Sequence, residues 1–155
     1  MLILCSNGLT SEKLLASVSE RAIDCKMAVL VVTADNEYKE KNYHVQRCVE
    51  ELKSLNLTVD IFDIDKQPSE LLLNYDIVEF IGGNPFYLLY SIRENNALNI
   101  LQYLADNKIL IGWSAAAFVF GRPHKFLCIY SKRYKQMHLK IQGIRLYFLA
   151  GRRES

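Results

Sequence analysis

The sequence predicts an α/β domain built on a mostly parallel sheet with helices on both faces. Three observations predict it. Short apolar runs at Leu2 to Ser6, Met27 to Thr33, Asp76 to Ile81 and Ile109 to Ile111 suit strands buried on both faces. Segments of 10 to 15 residues with helical periodicity separate such runs, and strands that alternate with helices argue parallel pairing through right-handed crossovers. Small-residue turns follow the fourth and fifth strands at Gly82-Gly83 and around Ser114, at the carboxyl ends where sites in such sheets lie.

The elements follow in order. After Leu2 to Ser6, the Asn7-Gly8 turn releases the chain into a helix over Thr10 to Ile23, with Leu14, Leu15, Val18 and Ala22 on one face. Met27 to Thr33 is a second strand. A charged-faced helix follows, carrying Val45, Cys48, Val49, Leu52 and Leu55 on its apolar side. Thr58 to Asp65 alternates apolar and polar residues, as expected of a strand nearer an edge. Its acids Asp60, Asp63 and Asp65 have period-two spacing and no histidine nearby, so they read as a solvated face and no metal site is expected. A short helix over Glu70 to Tyr75 precedes the strand Asp76 to Ile81. In Gly82-Gly83-Asn84-Pro85, the glycines are free to take positive φ, Asn84 is a favoured N-cap and Pro85 a favoured first helical residue. A helix therefore begins at Pro85, with Leu88, Leu89 and Ile92 inward. Asn95-Asn96 breaks it before a second helix over Ala97 to Asn107, carrying Leu98, Leu101, Tyr103 and Leu104.

At 155 residues and 50% hydrophobic, the chain is long enough for one well-buried core and too short for two ordinary domains. Cys5, Cys25, Cys48 and Cys128 show no CxxC spacing, so neither a zinc site nor a redox pair is indicated, no cofactor is expected, and a reducing cytoplasm fits best. The apolar start is about half the length of a signal peptide's core, and no run approaches the roughly 18 residues of a membrane span. A soluble protein without a membrane partner is expected.

The net charge of +2 hides a break at Gly121. Residues 1–121 hold 10 Lys+Arg against 16 Asp+Glu, whereas residues 122–155 hold 9 Lys+Arg against the single acid Glu154. The expected organisation is an α/β domain over 1–121 followed by a basic C-terminal segment over 122–155.

The stretch Lys108 to Gly121 carries the chemistry. An apolar strand runs into Gly112-Trp113-Ser114-Ala115-Ala116, and Ala115 to Phe120 then supply helix formers. A serine on a sharp strand-to-helix turn projects clear of the sheet, and the following N–H, that of Ala115, points into the same space as half of an oxyanion hole. Gly112 fits G-x-S-x-G, while Ala116 replaces the second glycine. The alternative role for Ser114 is as a helix N-cap. Likewise, Gly82-Gly83 is either only a tight turn or, beside a helix N-terminus, a source of unobstructed N–H groups for negative charge.

Together the stretches Phe80 to Leu89 and Gly112 to Ala116 resemble the S51 family of serine peptidases, the aspartyl dipeptidase (dipeptidase E) and cyanophycinase group. Trp113 before the serine looks more like the dipeptidase branch. Thr33-Ala34, a Tyr-bearing helix and a strand ending in Asp63 extend the likeness. The resemblance implies a flavodoxin-like sheet related to class I glutamine amidotransferases, hydrolysis of short peptides, Ser114 as nucleophile, and N–H groups of Gly83 and Ala115 as the oxyanion hole. Gly82 and Asn84 would line the substrate site.

This resemblance runs to about Gly121. Members place a catalytic histidine several tens of residues past the serine, in a Pro-His-x strand, with an acidic partner beyond. His124 lies ten residues after Ser114, His138 lies 24 after it without the motif, and His44 sits in the second unit's helix; each reads as a surface histidine. The basic tail has three readings: a nucleic-acid or membrane patch, a divergent C-terminal segment, or foreign sequence from a truncated or frameshifted gene. The abrupt charge switch favours the third, and the tail's aromatics and cations form no nucleic-acid motif. A C-terminally incomplete fold follows, with the fifth strand exposed as an apolar edge prone to self-association into homo-oligomers. If the tail is native, Ile141 to Leu149 should instead join the sheet. A pseudoenzyme or peptide-binding module that keeps the pocket and lacks the histidine is the alternative to a working peptidase.

Overall fold

The computed structural model describes residues 1–121 and the backbone of Tyr147–Phe148. Five strands form within 1–121: β1 (Leu2–Cys5), β2 (Met27–Val31), β3 (Thr58–Phe62), β4 (Ile77–Phe80) and β5 (Ile109–Trp113). The helices are α1 (Glu12–Arg21), α2 (His44–Lys53), α3 (Pro85–Glu94), α4 (Leu98–Asn107) and α5 (Ala115–Phe120). The segment expected as a short helix before β4 is a 3₁₀ helix over Ser69–Asn74.

Every pairing is parallel, in the order β3-β2-β4-β5-β1-β6, where β6 is Tyr147–Phe148 beside β1. The parallel α/β architecture read from the sequence is thus present. All residues of β4 and β5 are buried, whereas β3 is largely open to solvent, with Ile61 exposed beside Asp60 and only Phe62 buried, and pairs, among the described residues, only with β2. Here the sequence's contrast between continuous and alternating runs has its cause: central strands are covered on both faces and the outer one is not.

Two side-chain sets divide the sheet. Leu2, Leu4, Val29, Val31, Val78, Phe80 and Leu110 pack with Leu88, Ile92, Leu101, Leu104 and Phe120 from α3, α4 and α5. On the opposite face, Ile3, Ala28, Ile77 and Ile111 meet Leu14, Val18 and Leu52 from α1 and α2, while Trp113 lies with Leu30, Val45 and Cys48.

Several expectations need correction. β5 is not an edge: it lies between β4 and β1, with Leu110 opposite both Val78 and Leu2. The self-association argued from an exposed fifth strand loses its basis, because β1 crosses the sheet to cover that side. Asp63 is not part of a solvated face. It is 4% exposed, accepting from the Thr33 hydroxyl at 3.0 Å and from Lys39 Nζ at 3.0 Å, and Lys39 also reaches Asp65 at 2.6 Å. On α4, Leu101 and Leu104 are buried, whereas Leu98 and Tyr103 face solvent.

Candidate active site

The order β3-β2-β4 means that the chain steps outward from β2 to β3 and then returns to the other side of β2. In open parallel sheets such a reversal is where ligand sites form, at the carboxyl ends of the flanking strands, here β2 and β4. Gly83, just past β4, closes against the loop after β2. Its φ is +151°, a Cβ there would land on the carbonyl of Ala34, and the Asn84 N–H donates to that carbonyl at 2.7 Å. Only glycine fits such a backbone approach. Asn84 then caps α3 as expected, its side-chain oxygen accepting from the N–H groups of Phe86 at 3.0 Å and Tyr87 at 3.1 Å. Asn84 therefore spends that oxygen on the helix.

Ser114 stands between β5 and α5 with φ 51° and ψ −111°. For a residue with a Cβ this is a strained conformation, costing on the order of 1–3 kcal/mol, and such strain clusters at functional sites. Ser114 is exposed, while Trp113 and Ala115 on either side are buried. The N-cap alternative is answered by geometry: Ser114 occupies the cap position, but its side chain makes no capping hydrogen bond. Its backbone is held at both ends, the N–H donating to Cys5 O at 3.2 Å and the carbonyl accepting from Phe118 N–H at 3.1 Å.

The two motif loops touch. A Cβ added to Gly82 would lie 2.9 Å from Ser114 Cβ and 2.8 Å from the Trp113 ring, so the first glycine is small because the serine turn passes against it. Gly112 serves the other face, where an added Cβ would meet Phe120 at 2.7 Å and Ala116 Cβ at 3.2 Å. Ala116 therefore suffices where the sequence pattern has a second glycine, since Gly112 has already vacated the contact. Among the described residues, neither the Gly83 N–H nor the Ala115 N–H has a hydrogen-bond partner.

His44, at the start of α2, belongs to this end of the sheet. Its ring meets Trp113 edge-on with centroids 5.2 Å apart, and its Nδ1 faces Arg47 Nη2 at 3.3 Å. Partial burial, and then the Arg47 charge, hold its pKa below the ordinary value. His124 and His138 lie outside the described residues.

A model of peptidase family S51 matches residues 2–146. The chain belongs to peptidase family S51. The S51 match continues past the Gly121 boundary drawn from the residues. Among solved structures, the chain is similar to a protein from Listeria monocytogenes EGD-e described as a peptidase E candidate, with 26% identity and a TM-score of 0.61, covering 76% of this chain and 60% of that one. A peptidase from an acI-B1 Actinobacterium shares the fold at 20% identity and a TM-score of 0.52, covering 76% of this chain and 55% of its own. This S51 chain thus spans less than two thirds of either neighbour's length. No curated protein matches it. Among the described residues no helix is long and apolar enough to cross a membrane.

One group near this S51 site escaped the sequence reading altogether. Glu79, in the middle of β4, is 0% exposed, and neither carboxylate oxygen has a hydrogen-bond partner. Cys48 and Glu51 of α2 face it. The signal was present: a lone acid inside the continuous apolar run Ile77–Ile81 must be buried if the strand is central.

Proposed function

We propose that this chain is a serine-type peptidase of the S51 kind acting on short peptides, with Ser114 as nucleophile and the N–H groups of Gly83 and Ala115 as oxyanion donors. The observation that carries the reading is the strained, exposed Ser114 seated against Gly82 of the double-glycine loop. Attack by Ser114 Oγ on a peptide carbonyl places negative charge on the carbonyl oxygen, and two unpaired N–H groups from different loops are the donors such an oxyanion needs. Collapse of that intermediate breaks the C–N bond, the amine leaving with the proton given up by the serine hydroxyl, and leaves an acyl-serine that water hydrolyses to the acid and the free hydroxyl; the base that carries the proton is not identified among the described residues. Aspartyl dipeptides are the substrate class that the family branch implies, and a cytoplasmic location goes with it. The division at Gly121, with 122–155 as a basic segment, belongs to the same proposal.

A fluorophosphonate probe tests it. Labelling of the folded protein that disappears in Ser114→Ala supports an assembled site, and absence of labelling counts against it.

His44 favours a second reading. Its Nδ1 faces a guanidinium where a triad histidine would face a carboxylate, so it is poorly suited to act as a base. A peptide-binding pseudoenzyme would show binding by calorimetry with no turnover. Hydrolysis abolished by Ser114→Ala would exclude it.

A further inference from the structure

Behind the serine turn, between α2 and the sheet, lies a cluster that the peptidase reading does not use. Cys48 Sγ, a Glu51 oxygen and a Glu79 oxygen all lie within 4.8 Å of one another. We propose that Cys48, Glu51 and Glu79 bind a thiophilic divalent cation of the zinc class.

Two features point to a ligand. The first is the convergence of three potential metal-binding groups from two elements, α2 and β4. The second is the state of Glu79: it is wholly buried and both oxygens are unpaired. Buried polar groups are normally hydrogen-bonded, and an orphaned carboxyl costs several kcal/mol unless something meets it. Cys48, also 0% exposed, offers no strong donor, and the buried Trp113 Nε1, the indole donor nearest this carboxyl, lowers its pKa but stays outside hydrogen-bond geometry, leaving both oxygens open.

The donor set selects the cation. One thiolate and two carboxylates suit zinc and its neighbours, whereas calcium and magnesium require six or more oxygen ligands. Three protein ligands leave the fourth tetrahedral position for water. Donor atoms around zinc are roughly 3.5 Å apart, so donors that lie within 4.8 Å of one another draw together on binding. Glu51 is already oriented, its Oε1 2.7 Å from Arg47 Nη1 and its Oε2 accepting from Leu9 N–H at 3.0 Å. Arg47 opposes a nearby cation, but its guanidinium is also committed outward to the Asn7 carbonyl and side chain, at 3.0 Å each.

Charge balances on binding. With Glu79 and Cys48 protonated, Arg47 and Glu51 cancel; a divalent cation displaces one proton from each of Glu79 and Cys48 to solvent, and the pocket is neutral again.

The test uses the full chain, freed of metal by a chelator and titrated with Co²⁺. The expected result is one site per chain, a thiolate-to-cobalt charge-transfer band, and quenching of Trp113, the chain's single tryptophan, which lies beside this cluster with Cys48. Zn²⁺ should displace the cobalt. The band should vanish in Cys48→Ser and persist in Cys5→Ser and Cys25→Ser. In Glu79→Gln, which keeps the side chain's shape, affinity should fall at least about 100-fold, beyond the loss usual for a group that merely supports a ligand. Circular dichroism of each metal-free variant checks its fold. If Cys48→Ser does not fold, Glu79→Gln alone decides. No cobalt band, a band indifferent to Cys48, or an affinity indifferent to Glu79 overturns the proposal; the last two would identify adventitious binding at another thiol.

Discussion

Replacing Glu79 with glutamine should stabilise the metal-free protein by an amount that grows with pH. Burial, and next the Glu51 carboxylate, push the Glu79 pKa from its ordinary 4.5 up to about 8, against the opposing influence of Arg47 and Trp113. Below pH 4.5 the acid is protonated in both folded and unfolded chains and contributes no pH dependence. Between 4.5 and 8 the unfolded chain releases this proton while the folded chain retains it, so folding stability declines as pH rises. Above 8 the loss is complete. The interval, 8 − 4.5 = 3.5 units, corresponds to about 5 kcal/mol at 1.36 kcal/mol per unit. At pH 7 the share already lost is about 3 kcal/mol, roughly 10 °C in Tm for a chain of this size.

The thiols facing Glu79 do not blur the window. Burial, and next the Glu79 charge, push the thiols of Cys5 and Cys48 up to about 12, so both stay neutral throughout. Urea unfolding of both proteins from pH 4 to 9, with chelator present, should give midpoints that coincide at the acid end and diverge through neutrality. A gap that is constant across pH, or that closes as pH rises, would refute a buried protonated Glu79.

Gly82→Ala should cost about 1–3 kcal/mol by overpacking; because its Cβ would sit 2.9 Å from Ser114 Cβ, probe labelling of Ser114 should fall by more than the stability loss explains. Asp76 Oδ2 accepts the N–H groups of Lys26 at 2.9 Å and Met27 at 3.0 Å, which hold its pKa below 3.8. Asp76→Ala should therefore cost about 1–2 kcal/mol at neutral pH, a contribution present above 3.8 and lost as pH falls through the lower folded-state value, as urea midpoints would register. Pairing of β6 with β1 predicts that peptides containing Tyr147 and Phe148 exchange amide hydrogens as slowly as those of Ile109–Ile111; rapid exchange there would support a tail foreign to the fold.

Legibility in the sequence followed how local each cause is. The start of α3 could be placed at Pro85 because the signals, Asn84 as cap and Pro85 with fixed φ, act within one turn. The Ser114 turn was readable for the same reason. Strand order was not: that β1 covers β5 depends on a pairing between residues over 100 positions apart, as in Leu2 with Leu110, and no local pattern records it. Asp63 was misplaced because period-two spacing describes β3, which ends at Phe62. Beyond that point the chain turns inward and Thr33 and Lys39, from another unit, make burial of the carboxylate tolerable. The Cys48-Glu51-Glu79 cluster needed both a helix face and a strand face to be known. Its two α2 members, three residues apart, looked like one core residue and one surface acid.

The geometry of Ser114 follows from what happens one residue to either side. Trp113 is drawn to the α2 face, where it packs with Cys48, Val45 and Leu30, while Ala115 and Ala116 are drawn to the opposite face against the α3 and α4 side chains. In an extended strand residues two apart share a face, so a chain whose residues 113 and 115 are claimed by opposite faces must leave the strand conformation between them, and the residue at that turn points outward. The φ of 51° is then a consequence of burial on both sides. The strain, of order 1–3 kcal/mol, is smaller than the about 3–5 kcal/mol at stake in burying one aromatic such as Phe120, whose ring lies 5.0 Å from that of Phe80 and fills the space left by Gly112. The exposed serine is thus imposed by the core, and the same forces that press Trp113 into the α2 face set it beside the cluster around Glu79.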